Sequence, residues 1–277
     1  MHKTVDAGVL NVAYFEDGDA NAPVVLLLHG FPYDVHAYDE VRPRLAAAGL
    51  RVITPYLRGY GPTRFIDAAT PRSGQQASLA HDLLKLMVAL RIEKAILGGY
   101  DWGGRAACIT AALWPERVRG LVTCNGYNLQ NISTSAEPAA PENELRHWYQ
   151  YYFHSERGRN GLQRNRFEFC KLLWRLWSPN LAFDDATYQR SAPAFDNPDF
   201  VEVVIHSYRH RYALVAGDPA VQRFEDELAT QTAIAVPTVV LDGEGDGVMG
   251  IGSAGCGREH FTGPYQHHLI PRVGHNL

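Results

Sequence analysis

Apolar residues along this chain come in two rhythms. PVVLLLHG (23–30) is an uninterrupted apolar run closed by glycine, the pattern of a central strand buried on both faces. RVITPYL (51–57), Ala95 to Leu97, RVRGLVTCNGY (117–127), VPTVVLDG (236–243) and HHLIPRVGHN (267–276) predict further strands. Between them the apolar positions recur at helical spacing. AYDEVRPRLAAAGL predicts a helix ending at Gly49, GQQASLAHDLLKLMVALRI a second, and Arg105 to Trp114 a third. Strands alternating with helices imply an α/β fold with a mostly parallel central sheet and helices on both faces. Residues 128–225 break this alternation. They are rich in Trp, Tyr and Arg at helical periodicity and carry no buried strand run, which predicts a helical lid inserted into a core of 1–127 and 226–277. NISTSAEPAAPEN (131–143) is the nearest thing to a linker, and no internal repeat is found.

Composition narrows the function classes. A chain of 277 residues, 46% of them hydrophobic, can bury a large core, and a net charge of −4 offers no basic field for nucleic acid. The first residues lack an apolar signal core and no apolar run reaches bilayer-spanning length, so a soluble, cytoplasmic protein without a membrane partner is expected. Cys108, Cys124, Cys170 and Cys256 are widely spaced with no CxxC pair, which favours reduced thiols over a disulfide frame or a zinc site.

Candidate chemistry begins at AILGGYDWGGRAA (95–107), where a strand hands over to a helix through a glycine-rich turn with Asp101 at its centre. In the serine version of such a turn the central side chain is an exposed nucleophile, and the next residue's N–H serves the oxyanion hole. Here that slot holds a carboxylate, and Trp102 follows it. An aspartate can displace at an sp3 carbon to give an alkyl ester, which water then hydrolyses with help from a base. His275 follows the last strand, where that base belongs, and a carboxylate among Asp242, Glu244 and Asp246 would orient it.

HGFP (29–32), GYDWGG (99–104), GEGD (243–246) and GH (274–275) occur in the order found in alpha/beta-hydrolases with an Asp nucleophile, the branch that includes epoxide hydrolases and haloalkane and haloacetate dehalogenases. The chain resembles that branch over nearly its whole length. The resemblance implies the alpha/beta-hydrolase fold, selects Asp246 over Glu244 as the acid, assigns the oxyanion hole to the Phe31 and Trp102 amides, and implies a cis bond before Pro32, which shapes that loop beside the substrate. In the lid, HWYQYYF (147–153) and HSYRHR (206–211) resemble segments carrying the two oxygen-binding tyrosines of epoxide hydrolases, here Tyr149 and Tyr208. His147 and Trp148 also resemble the His-Trp pair of haloacetate dehalogenases, and Arg105 matches one of their two arginines, whereas the other is replaced by Trp102. His147 and Trp148 are accordingly expected to line the substrate site, and Arg58 in YLRGYG is expected to be structural. Members of the branch continue into a C-terminal helix after the histidine, and this sequence reaches Leu277 two residues beyond it. The expectation is an epoxide hydrolase needing no cofactor or metal. Asp101, Asp246 and His275 form its triad, and a small-molecule epoxide is the partner of a monomer or homodimer. A dehalogenase with the same triad is the alternative.

Overall fold

The computed structural model describes residues 1–249 and 257–276, so Cys256 and Leu277 lie outside the described residues. The apolar runs form strands β3 (Val24–Leu28), β4 (Arg51–Pro55), β6 (Ala95–Gly99), β7 (Val118–Cys124), β8 (Thr238–Gly243) and β9 (Tyr265–Ile270), all paired in parallel in the order β4-β3-β6-β7-β8-β9. Two strands precede the first expected one. β1 (Lys3–Ala7) and β2 (Leu10–Asp17) form an antiparallel hairpin, and β2 pairs with β4 and with the short β5 (Arg64–Phe65). The last strand starts two residues earlier than its apolar pattern and stops at Ile270, which leaves His275 on a loop.

Alternation within β3 explains why its run must be wholly apolar. Val25 and Leu27 face one layer with Val52, against which Leu45 and Ala46 of helix α1 (Val41–Ala47) pack. Leu26 and Leu28 face the other layer, where helices α2 (Gln76–Ala89) and α3 (Asp101–Leu113) pack on each other and on the sheet. Each such side chain removed from water contributes about 1.5–3 kcal/mol, so a polar residue anywhere in the run would meet an apolar layer on one side or the other. Gly49, at φ +84°, closes α1 in the left-handed conformation that favours glycine.

Residues 125–237 contain helices and turns but no named strand among the described residues: α4 (Pro141–Arg146), α5 (Trp148–His154), α6 (Glu156–Arg164), α7 (Arg166–Trp177), α8 (Asp185–Ser191), α9 (Phe200–His210) and α10 (Gln222–Leu228). The expected lid boundary at 225 falls inside α10. That helix packs on α2, and its Glu225 accepts hydrogen bonds from Gln75, Gln76 and the Ala77 amide, so it travels with the core. Cys108, Cys124 and Cys170 are buried and unbridged. No described helix is long and apolar enough to cross a membrane.

Candidate active site

The carboxyl ends of β3, β6, β7 and β8 and the loop after β9 converge below the lid, the place where parallel sheets present ligand sites. β6 hands over to α3 with no intervening loop, and Asp101 takes φ +51° there, a conformation rare for a side-chain-bearing residue. Glycines make that turn possible. A Cβ on Gly103 would lie 2.0 Å from the Leu28 carbonyl oxygen, and one on Gly30 would lie 2.4 Å from the Asp101 Cβ.

Asp101 Oδ1 accepts a hydrogen bond from the Phe31 amide at 2.7 Å, and Oδ2 lies 3.5 Å from His275 Nε2. His275 Nδ1 contacts Asp246 Oδ2 at 2.8 Å. Asp246 also accepts from the Val248 and Met249 amides at 2.7 and 3.0 Å and from Asn125 Nδ2 at 3.0 Å. Burial alone would raise the Asp246 pKa, but the His275 charge and the hydrogen bonds from His275 and the Met249 and Val248 amides hold it down at about 2. Burial would lower that of His275, yet the two carboxylates raise it to about 10. Asp101, also opposed by burial, is held below the usual carboxylate range by His275, by the charge of Arg211 and by the Phe31 amide. The other two acids near that loop stand elsewhere: Glu244 accepts from the Arg272 amide, and Asp242 lies against His267.

Around the carboxylate, the Phe31–Pro32 bond is cis, and the Pro32 carbonyl accepts from Trp174 Nε1 of α7 at 2.7 Å, which ties the loop to the lid. His29 is held neutral by burial, its pKa pushed down to about 4, with one ring nitrogen on the Gly30 carbonyl and the other accepting from the Leu57 amide. Trp102 is the second residue of α3, so its N–H has no acceptor within the helix.

A cleft of about 430 Å³ opens over Asp101 and His275, lined among others by Arg105, Asn125, His147, Tyr149 and Arg211. Tyr149 and Tyr208 meet edge to face at 5.3 Å and both pack on the Phe31 ring. Burial and then nearby negative charge, Asp101 included, raise both phenols above their ordinary pKa. Tyr149 Oη accepts from Gln150 at 3.1 Å, whereas the buried Tyr208 hydroxyl has no hydrogen-bond partner among the described residues.

Not every expected residue reaches the cleft. Tyr208 sits in its wall rather than on its surface, and Pro32 and Trp148 do not line it either. Pro32 serves the loop, and Trp148 packs on Tyr152 and Phe169 because the period of α5 turns it toward the lid interior. Arg58 forms a two-pronged ion pair with Asp82 away from the cleft. Two residues are added by the structure. Asn125 stands after β7 at φ +65° before Gly126, and the Asn-Gly pair at a strand end was its one visible signal. Arg211, at the end of α9, lies with its guanidinium carbon 4.8 Å from the Tyr208 ring centre; it closes the HSYRHR segment that drew notice for Tyr208, but the segment gives Arg211 itself no role.

A family model described as alpha/beta hydrolase fold matches residues 23–277. A solved protein of Klebsiella pneumoniae subsp. pneumoniae, named as a candidate epoxide hydrolase, is similar at 44% identity and a TM-score of 0.97, with 99% of this chain and 91% of that chain covered. Epoxide hydrolase A of Mycobacterium tuberculosis is 26% identical over 99% of this chain and 91% of its own length. Epoxide hydrolase 3 of Siraitia grosvenorii is 40% identical over 43% of this chain, a match that spans 35% of that relative.

Proposed function

Starting from a chain that belongs to the alpha/beta hydrolase fold family, we propose that it is an epoxide hydrolase working through a covalent ester on Asp101. The observation that carries this reading is the single line of contacts Asp246–His275–Asp101, closed at its far end by the Phe31 amide, with the Tyr149 phenol lining the cleft and the Tyr208 ring packed against it. Asp101 Oδ2, the oxygen that Phe31 does not hold, attacks an epoxide carbon. The carbon–oxygen bond breaks toward the ring oxygen, which takes a proton from a lid phenol. Tyr149 and Tyr208 suit that role because burial keeps both protonated, and the Tyr208 hydroxyl has no hydrogen-bond partner among the described residues.

Ester formation erases the Asp101 charge. One of the two carboxylates that keep His275 protonated is thereby lost, its pKa falls, its proton passes to the phenolate left by ring opening, and the neutral imidazole can then accept a proton from water. The hydroxide adds to the Asp101 carboxyl carbon, and the Phe31 amide, with that of Trp102, stabilises the oxyanion. Collapse expels the diol oxygen, which takes its proton from His275, and the remaining water proton, left on the Asp101 carboxyl, returns to His275 and restores the imidazolium and the carboxylate. The names of the relatives favour ring opening over halide displacement.

The test is a single-turnover incubation of His275→Gln protein with styrene oxide, read by intact mass and peptide mapping. The expected result is an adduct of the epoxide's mass on Asp101. A folded variant that gives no such adduct, or gives one only with chloroacetate or a bromoalkane, overturns the reading.

A further inference from the structure

Two arginines share the cleft with Asp101, and neither has an ion-pair partner among the described residues. Arg105 lies one helical turn beyond Asp101 on the same face of α3. Its Nη1 donates to Gln76 Oε1 at 3.0 Å, and its buried Nε has no partner. Arg211 reaches in from the lid. Its guanidinium carbon lies 5.9 Å from the Trp102 ring centre and 4.8 Å from that of Tyr208, and the side chain makes no hydrogen bond or salt bridge among the described residues. Elsewhere in the molecule Arg42, Arg51, Arg58, Arg72 and Arg166 are each paired with a carboxylate. Glu137 and Glu144 also line the cleft, but neither pairs with either arginine among the described residues, and Glu144 accepts from Tyr151 and the Ala139 amide; Glu225 is occupied by Gln75, Gln76 and the Ala77 amide, and meets Arg105 through Gln76.

Two guanidiniums near each other in a half-enclosed site repel, and burial makes the repulsion worse. Burial and then the Arg211 charge lower the Arg105 pKa to about 9. A planar carboxylate offers two oxygens to such donors, and these charge-assisted hydrogen bonds are the strong ones. An anionic substrate would also need positive charge to offset its approach to the Asp101 carboxylate.

We propose that the substrate is an epoxide bearing a carboxylate a few bonds from its ring, and that Arg105 and Arg211 hold this group while Asp101 attacks. The proposal rests on the epoxide hydrolase reading above and specifies its substrate class.

The experiment compares glycidate, whose diol is glycerate, with glycidol, in which a hydroxymethyl group stands where glycidate has its carboxylate. Diol formation gives kcat/KM for each in the wild type, Arg105→Gln, Arg211→Gln and Arg211→Lys, with thermal melts to confirm folding. The expected result is a glycidate-to-glycidol ratio above about 10 in the wild type, falling about 10- to 100-fold in either Gln variant and less in the Lys variant. The ratio is read because a merely structural stack of Arg211 on Tyr208 would slow both substrates alike. A wild-type ratio near one, or one unchanged by the variants, sinks the carboxylate inference and leaves the epoxide reading standing. Calorimetric titration with glycerate separates the two claims: wild-type binding lost in Arg211→Gln, with no epoxide turned over, keeps the anion site and sinks the epoxide reading. Absence of both glycerate binding and turnover sinks both.

Discussion

Replacing Asp246 with Asn tests the electrostatic design of the triad, because the pattern of donors around this side chain leaves an amide no good orientation. Oδ1 accepts from two backbone amides, while Oδ2 faces Asn125 Nδ2 and His275 Nδ1. With its oxygen toward the backbone, the new amide would set its NH2 against the Asn125 NH2 and force His275 to present Nδ1 as an acceptor. The ring proton then sits on Nε2, where it is useless as a base. Flipped, the NH2 meets the Val248 and Met249 amides. Either way a buried donor is left unmatched, at about 1–3 kcal/mol. The charge is lost as well. The pKa of about 2, against an ordinary 3.8, corresponds to about 2 kcal/mol of stability at pH 7. A depressed acid stabilises above its unfolded pKa and ceases to do so as pH falls through the folded one, so about half of this term is gone by pH 3. The raised pKa of His275 describes the same ion pair from its other end and is not added; seen from that side, the stabilisation is present below pH 6.5 and lost as pH rises through about 10. The variant should therefore be about 3–5 kcal/mol less stable at pH 7, with the gap narrowing by about 1 kcal/mol at pH 3, as read from urea midpoints. In single turnover with styrene oxide the ester should still form while its hydrolysis slows about 1,000-fold or more. Wild-type stability at pH 7, a gap independent of pH, or unslowed ester hydrolysis would each refute the reasoning.

Tyr208→Phe removes a buried hydroxyl with no hydrogen-bond partner among the described residues, so its melting temperature should hold or rise while kcat/KM on epoxides falls about 10- to 100-fold; parallel melts and initial rates check both. Tyr149→Phe should cost similar activity without the stability gain, because its hydroxyl accepts from Gln150, and the same pair of assays reads the contrast. Gly30→Ala would set a methyl 2.4 Å from the Asp101 Cβ, so the protein should melt lower and lose ester formation, whereas Gly49→Ala, with no atom within 4 Å, should cost about 1 kcal/mol through its left-handed backbone and leave the rate alone.

Local chemistry made much of this molecule readable in advance. Short apolar runs closed by turn residues favour strands buried on both faces of a parallel sheet, and the glycines around Asp101 favour a turn that few other residues could enter. Hence β3, β4, β6, β7 and β8 and the turn that presents Asp101 were legible from the chain, whereas Asp246 stood out from Asp242 and Glu244 only through resemblance to a family pattern. The N-terminal hairpin carries no such signal, because β1 is largely exposed and lacks an apolar run. Only tertiary structure could decide which face of a lid helix meets the cleft. Helical periodicity shows that α5 is amphipathic without saying that Tyr149 faces Asp101 while Trp148 packs away from it. The same holds for Asn125 and Arg211, which lie 24 and 110 residues beyond Asp101 and join it only because β7 runs beside β6 and the lid folds back over the sheet. Charge at a distance has no sequence signature: that Arg105 and Arg211 share one cleft, and that His275 stands between two carboxylates, follows from how the layers close.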